Sequence, residues 1–261
     1  HEELAEELRT SESKKLLADA WHGMAEALRI QGRQKDYEEA LQLCQKAKEI
    51  REELAAEQKT AASRLDLVKS MKAIGFLLME MSQDFEEYMP YIRREKELLT
   101  EVDRERGTDD SRQRLADVSF QLAQAYSRAG GGERIKRAEE MCREGIRLQR
   151  NVAENRNTRA AWNVLVMLYM QAGEISATSG SRASLERALD FYRQAEQVKQ
   201  EQGWEAGFDE ETLRGRILAD TGNIYFLLGG RDNLSMAYER YEKACEVFER
   251  VAEETGMAGD Q

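Results

Sequence analysis

The stretch Trp21–Ala47, WHGMAEALRIQGRQKDYEEALQLCQKA, holds two helical periods separated by a glycine. Trp21, Met24, Ala25 and Leu28 recur at three- and four-residue spacing, as do Tyr37, Ala40, Cys44 and Ala47, so each set forms a stripe on one helix face. Gly32 lies between them and can take the left-handed conformation that ends a helix. A small residue at Ala40 lets the two helices approach closely. The stretch therefore predicts a helix hairpin.

The hairpin returns four more times. Aligned on the residue early in the second helix, the copies place Ala40, Tyr88, Ala138, Ala188 and Ala237 at spacings of 48, 50, 50 and 49. A period this regular in a helical chain is the signature of a solenoid. On the first helices the alignment matches Trp21, Met71, Ser119, Trp162 and Leu218, with Leu28, Leu78, Tyr126, Tyr169 and Tyr225 seven residues later. Breaker clusters predict turns at Gly32–Asp36, Ser82–Asp84, Gly130–Glu133, Gly173–Ser184 and Gly229–Asn233, the fourth being the longest. Thr158 and Asp110 with Ser111 are expected helix caps. The expected organisation is one solenoid domain over 1–261, with units near 15–58, 61–106, 110–155, 157–203 and 209–255. EELAEELRT near the start stands over EELAAEQKT fifty residues on, so residues 1–14 are expected to be the tail of a preceding unit. The chain begins at His1, not Met, which suggests a piece of something longer.

Composition agrees with an all-α chain. Of 261 residues, 41% are hydrophobic and 34% charged, with a single Pro, which is too apolar for disorder and too rich in helix formers for sheet. The longest apolar run, Val164–Met170, is far short of a membrane span, so no membrane partner is expected. A net charge of −11 argues against a nucleic-acid partner, because backbone affinity comes from basic patches. Cys44, Cys142 and Cys245 are odd in number and about 100 residues apart, and they are expected to be buried thiols in a reducing, cytoplasmic setting.

Trp21, Met24, Ala25, Leu28 and Gly32, then Tyr37, Glu38, Glu39, Ala40, Cys44 and Ala47, resemble the tetratricopeptide repeat pattern with three extra turn residues. Gly75, Tyr169, Gly222 and Tyr225 also stand where that family favours Gly and Tyr. The usual period is 34 residues; here it is about 50. Long-period versions occur in large bacterial signalling proteins, where segments like RLDLVKSMKAIG at Arg64–Gly75 recur. The resemblance implies a right-handed α-solenoid of stacked antiparallel helix pairs, whose first helices line a concave groove for peptides or partner proteins. The second unit departs from the pattern. It has Tyr88 and Glu95 where the others have small residues, and Pro90 predicts a kink or a late start in its second helix.

Raw material for catalysis is sparse. With two histidines, one of them terminal, nucleophile triads and His-based metal sites have little to draw on, and no phosphate loop or dinucleotide fingerprint is present. No enzyme activity, cofactor or metal is expected. His22 is expected on the groove side and Cys44 on the packed side. Gly130–Gly132 reads as a turn, and adjacent pairs such as Glu52-Glu53 read as solvated surface.

The first helices carry an apolar excess. AIGFLLM at Ala73–Met79 and VLVMLYM at Val164–Met170 are apolar all round, part inter-unit packing and part groove surface. In the family's frame the groove is lined by Lys69, Lys72, Phe76 and Met79, by Phe120 and Gln124, by Asn163, Met167 and Met170, and by Arg216, Asn223 and Phe226. His22, Glu26, Arg29, Ser127 and Asp220 flank them. Met adapts its shape, Asn bonds backbone amides and Lys or Arg takes carboxylates, a set that suits a peptide. Lys72, Asn163 and Asn223 resemble the cation-plus-asparagine grip some family members place on a C-terminal carboxylate, although here they come from units two, four and five. The expected function is a protein- or peptide-binding module, the regulatory part of a larger intracellular signalling protein. The alternative is a spacer or homodimerisation scaffold.

Overall fold

In the computed structural model the described residues are 10–82, 84–203 and 208–258, and their regular structure is entirely α-helical. Ten helices follow in order: α1 Ser11–Gln31, α2 Gln34–Gln58, α3 Ala61–Met81, α4 Phe85–Arg106, α5 Asp109–Ala129, α6 Gly132–Arg156, α7 Arg159–Ala177, α8 Arg182–Gln202, α9 Phe208–Leu228 and α10 Arg231–Ala258. The chain divides into two compact units, one up to Ala125 and one from Tyr126, with the boundary inside α5.

The joints repeat as regularly as the helices. Thr10, Thr60, Thr108 and Thr158, spaced 50, 48 and 50 apart, each cap a first helix by accepting a backbone N–H three residues on, at 3.2 to 3.3 Å. Just before three of these caps, Lys59, Gly107 and Asn157 take left-handed backbone at φ 51°, 57° and 45°, closing the preceding second helix. Two residues thus end one hairpin and start the next. The cap of α5 is Thr108, not the expected Asp110 or Ser111, and Ser111 instead donates its hydroxyl to Asp103.

Within the first unit α1 packs on α2, α3 on α4, and α2 on α3; within the second, α6 packs on α7, α7 on α8, α8 on α9 and α9 on α10. Ala40, Ala138, Ala188 and Ala237 are all buried, as their small size predicts. Four residues after the last two come Tyr192 and Tyr241, and each faces a glycine of its partner first helix. A Cβ on Gly173 would sit 2.7 Å from the Tyr192 ring, and one on Gly222 would sit 3.0 Å from Tyr241. Where the second helix carries the smaller Cys44, the first helix carries Ala25, and both belong to one apolar cluster. Buried polar side chains tie successive hairpins at matching positions. Arg51 of α2 donates to Asp19 of α1 (2.7 Å) and Ser70 of α3 (2.8 Å), while Gln149 of α6 donates to the Ala161 carbonyl of α7 (3.1 Å).

Several sequence expectations change. The fourth turn is short, because α7 runs through Gly173 to Ala177 and α8 starts at Arg182. Counting from Thr158 puts Tyr169, not Trp162, level with Trp21, Met71 and Ser119. Helix α4 starts at Phe85, capped by Asp84, and runs through Pro90 without a late start. Cys245 is exposed, unlike Cys44 and Cys142. Thr10 caps α1 and Ser11–Lys14 open it, so these residues belong to the first hairpin; residues 1–9 of the expected N-terminal tail, and most of the Gly203–Asp209 junction, lie outside the described residues.

Ala138→Leu or Ala188→Leu forces side-chain volume into a closed helix contact, and each is expected to cost about 1 to 3 kcal/mol. A chemical-denaturation midpoint unchanged from the parent would contradict this packing.

Candidate peptide-binding cleft

In the first unit, α1 and α3 turn facing sides toward a cleft of about 380 Å³. His22, Glu26 and Arg29 line one wall and Lys69, Lys72 and Phe76 the other, over a floor of Ala25, Cys44, Ala73 and Leu77. The run AIGFLLM explains how. Ile74 and Leu77 turn into the core, while Phe76 stands 43% exposed on the cleft wall. The Arg29 guanidinium lies 5.2 Å from the Phe76 ring centroid and is held there by two hydrogen bonds to Glu26 (2.6 and 3.0 Å). That pairing fixes an aromatic surface beside a cation.

The two lysines are not equivalent. Lys69 is committed to Asp66 at 2.7 Å, and Asp66 also takes Lys15 at 3.1 Å. Lys72 makes no hydrogen bond or ion pair among the described residues, so its ammonium is available to a ligand. His22 lines the cleft, and its Nδ1 is buried without a partner. Burial, together with nearby Arg51, holds His22 below the ordinary imidazole value, so the ring is neutral at neutral pH. Cys44, expected on the packed side away from His22, contributes to the same cleft; burial pushes its thiol up to about 11, so no thiolate nucleophile forms there.

Behind this wall lies Glu95 of α4, 4% exposed with Oε2 unpartnered. Its carboxyl is pushed up to about 7, chiefly by burial, with the Lys72 ammonium pulling it down and the Asp117 carboxylate adding to the rise. It occupies the position where the other units carry Ala47, Gly145, Ala195 and Ala244, a departure visible in the repeat alignment.

Other expected groove residues divide by chemistry. Phe120 (4% exposed) and Met170 (3%) are packed into the interior and line no open groove. Both stand twelve residues past their caps, as His22 and Lys72 do. At this core-bordering position a lysine stem carries its charge out to water, whereas an apolar chain folds in. Met79 and Gln124 are half-buried. In the second unit Met167 and Phe226 are exposed, as is Arg216. Asn163 lines a separate cleft with Trp162, and Asn223 accepts a hydrogen bond from the Tyr241 hydroxyl at 2.7 Å, which occupies its side-chain oxygen.

No protein-family model and no curated protein matches the chain. Among solved structures, it is similar to the nearly identical TPR-like repeats of a Podosopora anserina kinesin light chain candidate, with 14% identity over 93% of this chain and 96% of that one and a TM-score of 0.50. The fold is that of TPR-like helical repeats. BtubC (BKLC) from P. vanneervenii also matches at 11% identity over 92% of both chains, with a TM-score of 0.44. So does the de novo designed helical repeat protein DHR64, at 17% identity over 94% and 98%, with a TM-score of 0.26. At such identities the likeness concerns the fold alone.

The raised Glu95 carboxyl makes a signed prediction. A carboxyl with a folded value above its unfolded one adds nothing below about pH 4.5 and destabilises increasingly as pH rises to 7, by up to about 3 kcal/mol. Glu95→Gln is therefore expected to gain on the parent in urea-unfolding free energy between pH 5 and pH 8. A difference constant across that range would contradict the assignment.

Proposed function

We propose that the chain is a protein- or peptide-binding repeat module whose ligand enters the cleft between α1 and α3. One observation carries this reading: Phe76 stands exposed beside an arginine-stacked ring face and an uncommitted ammonium at Lys72. An apolar ring and a cation without an ion pair, set together in a concavity, are what a ligand site presents. The matching ligand is a short segment with an apolar side chain seated on Phe76 and a carboxylate on Lys72, its backbone amide within reach of the His22 Nδ1. Because α1 and α3 are rigid, the ordering cost of binding falls on the ligand. The likeness of Arg64–Gly75 to long-period repeats supports a place for the module as the regulatory part of a larger intracellular bacterial signalling protein.

Self-association is the second reading. It draws on the α9–α10 hairpin, which exposes Phe226, Leu227, Leu234 and Tyr238. Concentration-dependent dimerisation in sedimentation, abolished by Phe226→Ser with Tyr238→Ser, would favour it.

For the cleft, the probe is a set of fluorescently labelled peptides ending in Leu, Phe or Met next to a carboxylate. Phe76→Ala and Lys72→Glu are each expected to weaken binding about tenfold or more, with little loss of thermal stability because both side chains are exposed. A lowered melting temperature with unchanged binding would place Phe76 in the core and contradict the proposal.

A further inference from the structure

A second cleft, in the second unit, has the opposite character from the chain as a whole. It lies between α6 and α8 with a volume of about 470 Å³. Arg143, Arg147 and Arg150 recur at four- and three-residue spacing and so share one face of α6; Arg187 faces them from α8. Ile146 and Phe191, both buried, and the Tyr169 ring of α7 contribute an apolar floor.

The charges here are unbalanced. Glu139 is shared by Arg187 at 2.9 Å and Arg143 at 3.6 Å, one carboxylate between two guanidiniums. Asp190, on the rim, lies 3.8 Å from Arg193. Arg150 donates to the hydroxyl of Tyr169 and feels Glu154 and Glu201 only through space. Arg147 has no hydrogen bond or ion pair among the described residues. Of the four lining arginines, Arg147 and Arg150 have no carboxylate at ion-pair distance among the described residues, within a chain of formal net charge −11. Arg64, by contrast, is matched by Glu101 and Glu105, and Arg240 by Glu196.

We infer that this cleft is a docking site for an acidic protein segment, one that sets carboxylates on Arg147 and Arg150 and an apolar side chain over Ile146 and Phe191. The planar guanidinium takes a carboxylate through two parallel hydrogen bonds, and the apolar floor selects a ligand that carries hydrophobic side chains between its acids. A nucleic acid fits less well. Its affinity scales with the number of phosphates neutralised, and two uncommitted guanidiniums within an acidic chain supply few. This site is independent of the α1–α3 cleft, and either proposal can fail alone.

The test uses the whole chain and a fluorescein-labelled peptide of about twelve residues in which Glu pairs alternate with Leu and Phe, with anisotropy as the readout. The peptide is expected to bind, to weaken as salt rises, and to lose about tenfold or more in affinity with Arg147→Glu, whereas Arg147→Lys keeps most of it. Arg147 is exposed and unpaired, so its substitution spares the fold, which circular dichroism checks. Equal binding by Arg147→Glu, or by the peptide with Gln in place of Glu, would overturn the inference. So would tighter binding of duplex DNA than of the peptide, or a dimer of this chain that Arg147→Glu dissolves.

Discussion

The structure depends on how closely two helices of a hairpin can approach. Three second helices bring a small residue, Ala40, Ala188 or Ala237, to the contact, and one turn later present a larger one. The first helix answers in size: glycine where the second carries Tyr192 or Tyr241, alanine where it carries Cys44. The volume at the crossing is conserved by exchange between partners, as close packing requires. The α3–α4 hairpin shows the limit of the scheme. Tyr88 replaces the small residue there, while Gly75 across the pair lies only at ordinary contact distance from Ile92 and Tyr91.

Once the hairpins are set, the joints fix their succession. A left-handed residue followed at once by a threonine cap leaves no slack between one hairpin and the next. Arg51 and Gln149 then bond across from second helices to neighbouring elements. The spacing of first helices sets Arg29 over Phe76 and leaves Lys72 unpaired; the spacing of α6 and α8 lets Arg143 and Arg187 share Glu139 and leaves Arg147 without an ion pair among the described residues. Both clefts are consequences of the stacking, and each is given its chemistry by the few side chains that the stacking leaves uncommitted.

The helices were legible because each carries its own apolar period. The register within α7 was not. Trp162 resembles Trp21 and drew the alignment two turns toward the N-terminus, whereas the recurring threonines, which are bonded to backbone and cannot slide, mark the true phase. The groove suffered from a related ambiguity. A helix pattern gives the face but not the depth, so Phe120 was matched with Lys72 and Met170 with Met79 in the groove, although their lack of a polar head sends them inward. The cleft on α6 and α8 escaped notice because its arginines lie on helices read only for their packed side, and because the net charge of −11 hides a local reversal.

Size exchange across the hairpin contact is tested most directly by a double-mutant cycle at Gly173 and Tyr192, read by chemical denaturation. Gly173→Ala alone drives a methyl into the Tyr192 ring, and Tyr192→Ala alone opens a cavity; together each removes the other's defect. The account predicts that the double variant is more stable than the sum of the single losses allows, by about 1 to 3 kcal/mol. Simple additivity of the two losses would contradict it.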